Sequence, residues 1–174
     1  VTVLGKGNIF GMRAIFPLRQ RGKLFHSWTL GVDLKDFDES TTVSGAGTIP
    51  TPVKYVPLSL QYSATLQGEK GASTQFGMGV TFGLRGLSDR QVDCTGTGDK
   101  QDQFTCKRFG ARPNFSYLKG SISHAQPLAN DWGMTAKLEG QLAGQPLISN
   151  EQFAVGGVES VHGYLESEAS GDHG

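Results

Sequence analysis

The sequence holds no run of about 18 consecutive apolar residues, which excludes a transmembrane helix. It also lacks any cluster of Lys and Arg interleaved with aromatics. With 16 basic and 16 acidic side chains and a formal net charge of +0, nothing in it favours nucleic acid. The patterns Gly-x-Ser-x-Gly, Gly-x-x-x-x-Gly-Lys-Ser/Thr and His-Glu-x-x-His are missing, so neither an enzyme nor a nucleotide site is expected. The four histidines, His26, His124, His162 and His173, are scattered without ligand spacing, and no metal or other cofactor is expected. Helix signals are nearly absent. Val1-Thr-Val has no start methionine, signal peptide or basic leader, and the last residues stop inside a glycine-rich stretch, so the expectation is an internal piece of a longer protein.

Cysteine is nearly absent too. Cys94 and Cys106 both lie in one polar segment. In an oxidising compartment they would close a short ring worth roughly 3 kcal/mol in the chain-entropy model. A disulfide is the expectation, and two unlinked thiols are the alternative.

What is present is period-two alternation. Phe10, Met12, Ala14, Phe16 and Leu18 share one face of Asn8 to Leu18, with Gly11 and Arg13 opposite. From Leu24 to Lys35, the apolar set Leu24, Trp28, Leu30, Val32 and Leu34 opposes Ser27, Thr29, Gly31, Asp33 and Lys35. The stretch Val56 to Leu66 repeats the pattern. So do Gln75 to Arg85, where Phe76, Met78, Val80, Phe82 and Leu84 oppose glycines, Thr81 and Arg85, and, more weakly, Phe115 to His124. Trp132, Met134, Ala136, Leu138 and Leu142 oppose Thr135, Lys137, Glu139 and Gln141. Strands of roughly ten residues exceed the usual five or six and match the length of a tilted strand crossing a bilayer. Mean hydropathy, −0.28, does not argue against this, because a transmembrane barrel hides its apolar residues by alternation. Trp28 and Trp132, near strand ends, suit either interfacial anchors or simple packing.

The connections alternate in length. Arg19 to Lys23, Gln67 to Gly71 and Ala125 to Asp131 read as short turns, whereas Asp36 to Pro52, Leu87 to Pro113 and the chain from Gly144 onward read as long polar loops. Short turns at one end and long loops at the other are the layout of an outer-membrane barrel. A soluble sandwich also alternates, but its polar face is charge-rich. Here that face is mostly Gly, Ser, Thr and Gln, the lining of a water-filled lumen. The expected fold is therefore all-β: part of an antiparallel transmembrane barrel of about six up-and-down strands plus a long loop. Arg13, Asp33, Lys35, Arg85, Lys119, Lys137 and Glu139 are expected to face the lumen. Six strands cannot close a barrel of useful bore, so further strands are expected outside residues 1–174.

The last loop has an unusual composition. In Phe153-Ala-Val-Gly-Gly-Val-Glu-Ser-Val-His-Gly-Tyr164, the glycines allow backbone conformations closed to other residues, and Phe153 and Tyr164 supply apolar bodies. Such a loop after a series of strands is a candidate functional loop.

These residues resemble the sixth extracellular loop of two-partner secretion transporters, the haemolysin activation/secretion family. Its pattern, approximately F-x-x-G-G-x-x-S-V-R-G-Y followed by an acidic stretch and G-D-x-G, is matched at Phe153, Gly156, Gly157, Ser160, Val161, Gly163, Tyr164, Gly171, Asp172 and Gly174. Trp28 to Phe37, Tyr55-Val-Pro-Leu58, Asn114 to Leu118, Gln145-Pro-Leu147 and Glu151-Gln-Phe153 are similar to the same family. The resemblance implies a C-terminal barrel of about sixteen strands, with periplasmic polypeptide-binding domains preceding it. It implies a loop folded into the lumen, held by its motif arginine to an acidic residue of the wall. It also implies export of a large adhesin or haemolysin across the bacterial outer membrane, in contact with lipid and without nucleotide hydrolysis. The insertase branch of the same superfamily and a passive porin are the alternatives. Where the family has arginine this chain has His162, which replaces a permanently charged planar fork with a ring of at most two donors.

Overall fold

The computed structural model describes residues 2–43, 47–88, 90–94, 98–129, 132–156 and 169–174. Twelve strands occur among them: β1 (Thr2–Pro17), β2 (Leu24–Val43), β3 (Gly47–Pro50), β4 (Val53–Tyr55), β5 (Pro57–Gln67), β6 (Ser73–Gly83), β7 (Gln91–Asp93), β8 (Lys100–Asp102), β9 (Ser116–Pro127), β10 (Gly133–Ala143), β11 (Phe153–Val155) and β12 (Ala169–Gly171). Two short helices, α1 (Arg85–Ser88) and α2 (Gln103–Lys107), lie between β6 and β9. The main sheet runs β1-β2-β5-β6-β9-β10, antiparallel throughout, with β3 and β4 continuing beside β2. It is an open, partial β-barrel.

Register explains why the alternation was so regular. One cross-strand row reads Ala14, Leu30, Leu60, Val80, Leu118, Leu142, and the row one residue along reads Ile15, Thr29, Gln61, Gly79, Lys119, Gln141. Each row lies wholly on one face, because a period of two keeps side chains in step across a correctly registered sheet. The apolar face is open: Phe10, Met12, Leu30, Phe76, Met78 and Leu138 are all exposed. A contiguous apolar surface of this size marks a face that meets something other than water.

Three expectations need correction. Asp36 to Val43 is strand, not loop: β2 continues through it, paired with Thr2 to Asn8 on one side and with β3 and β4 on the other. There the opposite charges of Lys6 and Asp38 stand in register, and a β-hairpin extends past the alternating segment. Leu87 to Pro113 is not plain loop either, since it holds the β7–β8 hairpin and α2. Arg85 is not a strand residue: β6 ends at Gly83 and Arg85 opens α1, its backbone N–H donating to Asn114 Oδ1 at 2.7 Å. The polar side chain of Asn114 captures the chain as it leaves the sheet.

The buried core does not lie between two sheets. It sits at the long-loop end, where Val53, Tyr55, Phe104, Ala111, Phe115, Tyr117, Leu147 and Ile148 pack together. Tyr55, Phe104 and Phe115 meet edge-on or tilted, with ring centroids 5.5–6.1 Å apart, favourable aromatic geometry. The loops are thus folded onto one another and onto the polar face of the strands.

Candidate functional site

The polar face carries the site. On β1 and β2, Arg13 grips Asp33 with two hydrogen bonds of 2.7 and 2.8 Å, a bidentate pair. Gly31 makes room for it, since a Cβ there would stand 2.9 Å from the Arg13 side chain. Lys137 pairs with Glu139 along β10 at 3.1 Å. Lys119 places its ammonium 5.3 Å from the centre of the Tyr117 ring, within cation–π range. Arg85 stands apart from this wall and lies 3.7 Å from Asp102.

Lys35 belongs to a different constellation. Its Nζ donates to Glu151 Oε1 at 2.5 Å; Tyr55 Oη donates to the same oxygen, also at 2.5 Å, and Tyr117 Oη donates to Oε2 at 2.7 Å. Glu151 is 3% exposed and Tyr55 fully buried. A buried carboxylate is tolerable only when paired and hydrogen-bonded in this way. Burial first, and then the charge of Glu151, push the Tyr55 phenol above its ordinary value and keep it a donor.

Two more carboxylates are held near by. Glu39 on β2 accepts from Asn150 at 2.9 Å and pairs with Lys107 at 2.5 Å. Burial pulls the Lys107 ammonium below its ordinary value, and Glu39 partly offsets this. Asp172 accepts from Arg108 Nη1 at 2.5 Å, from the Leu147 N–H at 3.0 Å and from Gln152 Nε2 at 3.3 Å. Burial would raise its carboxyl, but those three donors outweigh burial and hold it below the usual range. The group's folded value is therefore below its unfolded one. Stabilisation from the contact is complete above the ordinary value of 3.8 and is lost as pH falls through the folded value. Protease protection of residues 144–174 should be flat from neutral pH to about pH 5 and decline under acid. Asp172→Asn should remove that acid response, and an unchanged response in the variant would assign it to other groups.

Cys94 and Cys106 are joined, their Cα atoms 5.9 Å apart. The bond links the residue after β7 to α2 and closes a ring that holds β8, and the residues that follow Cys106 are Lys107 and Arg108. Three consecutive side chains thus tether the segment to itself, to β2 and to the last loop. Replacing both cysteines with serine should cost the segment about 3 kcal/mol, read as faster proteolysis of residues 84–115. In the parent, maleimide labelling should require prior reduction, and ready labelling without reductant would overturn this.

The loop motif is described at its two ends only. Phe153 starts β11 and pairs with Gly171 of β12. Gly156 has φ +120°, a region that favours glycine. Gly157, Ser160, Val161, His162, Gly163 and Tyr164 lie outside the described residues. The hairpin base rests on β10: Gln141 and Gly174 exchange backbone hydrogen bonds of 2.7 and 3.1 Å. Gln152, Phe153 and Ala154 face Gln61, Thr81, Lys119 and Glu139 across a cleft of ≈ 480 Å³. Of these contacts, Glu151, Tyr55, Tyr117, Gln141 and Arg108 were not singled out from the sequence as site residues. Their one signal was positional: Tyr117 and Gln141 alternate onto the polar face with Lys35, and Glu151 opens the Glu151-Gln-Phe153 run.

An apolar face, a polar face and a loop base seated on the polar face are the arrangement of a membrane β-barrel wall. Residues 51–174 match the family model of the haemolysin secretion/activation proteins ShlB/FhaC/HecB. The chain belongs to that family, whose members are outer-membrane transporters of two-partner secretion. The match begins just after β3, so β1, β2 and β3 precede it. No curated protein and no solved structure matches the chain.

Proposed function

We propose that these residues form part of the wall and the in-folded loop of a pore that exports a large partner protein across the bacterial outer membrane, without nucleotide hydrolysis. The remaining strands and the periplasmic domains lie outside residues 1–174. The apolar rows meet lipid, and the Gly-, Ser-, Thr- and Gln-rich rows line an aqueous passage that offers an unfolded chain many weak hydrogen-bonding contacts and few strong ones. The observation that carries this reading is the seating of the β11–β12 base on the polar face, together with the family match. Within the loop, His162 is the anchor toward a wall carboxylate contributed by a strand outside these residues.

The test is secretion. Purified full-length transporter in proteoliposomes should translocate its unfolded partner with no nucleotide present. In cells, His162→Ala should lower release of the partner into the medium, His162→Arg should keep or raise it, and Glu159→Ala should leave it near the parental level. Translocation that requires ATP, or assembly of other barrels in place of export, would move the protein to another class. Parental secretion by both His162 variants would remove that residue from the anchor.

A further inference from the structure

The β11–β12 hairpin is bracketed by two carboxylates. Glu151 stands two residues before Phe153, Asp172 follows Gly171 directly, and Phe153 and Gly171 are cross-strand partners. Each carboxylate is held by a cation and two further donors. For Glu151 these are Lys35 on β2, Tyr55 on β4 and Tyr117 on β9. For Asp172 they are Arg108, the Leu147 N–H and Gln152. Between the two stands Gln141 of β10, 1% exposed. Its Nε2 donates to the main-chain oxygen of Glu151 at 3.1 Å and to that of Asp172 at 3.3 Å.

We infer that Glu151 and Asp172, joined through Gln141, are the positioning residues of the loop. Glu151 ties one foot of the loop's hairpin to β2, β4 and β9, Asp172 ties the other to the loop segments at Arg108 and Leu147, and Gln141 joins both feet to β10, so that the hairpin leans across the polar face at a set angle. Three wall strands converge on one foot through side chains 34 to 116 residues away in sequence. That convergence goes well beyond what closing a surface hairpin requires. Hydrogen bonds to a buried charge are the strong, directional kind, so they fix orientation as well as attachment. The inference rests on the export reading only for what the loop's position means; the clamp itself concerns where the hairpin sits.

The experiment uses the purified full-length protein and intact cells, and it needs no partner protein. Protease cleavage within residues 144–174 is measured from outside the cell, and single-channel conductance in planar bilayers. Heat-modifiable migration reports barrel integrity. Glu151→Gln keeps the volume and removes the charge. It should raise the cleavage rate about tenfold or more and turn steady conductance into fluctuating levels while heat-modifiability is kept. Asp172→Asn should do the same more weakly, and Tyr55→Phe should fall between. Lys35→Met should resemble Glu151→Gln, and the double variant Lys35→Met/Glu151→Gln should be no worse than either single. Parental protection and steady conductance in both Glu151→Gln and Asp172→Asn would overturn the clamp. So would additive effects in the double variant, because they would mean that the two groups do not act as a pair. A normal clamp with no export in the proteoliposome assay would instead sink the proposed function and leave this inference standing.

Discussion

Met78→Arg will destabilise the folded barrel by about 2–4 kcal/mol if Met78 lies near the bilayer midplane, the range for a basic residue on a lipid face at that depth. Met78 is 45% exposed on the apolar face, in a row with Tyr62 and Trp28. Gln61→Arg places the same charge on the opposite face, one position along, between Thr29 and Gly79. It should change stability by no more than about 0.5 kcal/mol, the usual range for a solvated site. The measurement is urea unfolding in lipid vesicles, followed by heat-modifiable migration. The two substitutions differ in which side of one wall they occupy, so their ratio reports the sidedness directly. Equal effects would mean that both faces are packed, as in a sandwich.

The second large effect is expected at the loop base. Glu151→Ala should cost about 3–5 kcal/mol, the range for breaking a buried ion pair by removing one partner. Most of that penalty falls on the partners left behind. The Lys35 side chain is 17% exposed and turns toward water at modest cost. Tyr55 cannot do so, and a buried hydroxyl without an acceptor costs roughly 1–3 kcal/mol. Tyr55→Phe in the Glu151→Ala background should therefore recover part of the loss, whereas Tyr55→Phe alone should destabilise. Two losses that simply add would show that the phenol and the carboxylate are energetically independent. Denaturant midpoints of the four proteins in the cycle measure this.

How much of this was legible depends on what each residue had to satisfy. Where one face meets an apolar medium and the other water, every second residue is constrained, so the strands through Leu60, Val80 and Leu138 could be read within a residue or two, and the strand through Leu30 as far as Lys35. Past Lys35 that constraint ends. Asp36, Asp38 and Glu39 belong to a strand that shows no apolar stripe, and periodicity is silent about it. Arg85 failed for the opposite reason: the alternation runs on through Leu84 after β6 has ended at Gly83, up to the residue that opens α1. The disulfide partners were legible as the two cysteines of one segment. The grip on Glu151 was not, because its donors come from positions 35, 55 and 117, and no local spacing encodes a contact that only the assembled sheet brings together. The centre of the loop motif, His162 included, was read by resemblance and lies outside the described residues.

The length of β2 sets the relief of the molecule's outer surface. Twenty residues at about 3.3 Å each make a ribbon roughly 65 Å long, or about 45 Å in height at a tilt near 45°. The apolar band of such barrels is only about 25 Å tall. Because the turn at Leu24 is short, nearly all the excess stands on the side of the long loops. On that side β1, β2 and β3 form a raised lip rising roughly 20 Å above the apolar band, while β6, β9 and β10 end lower. Among the described strands, the edge on the long-loop side is therefore uneven.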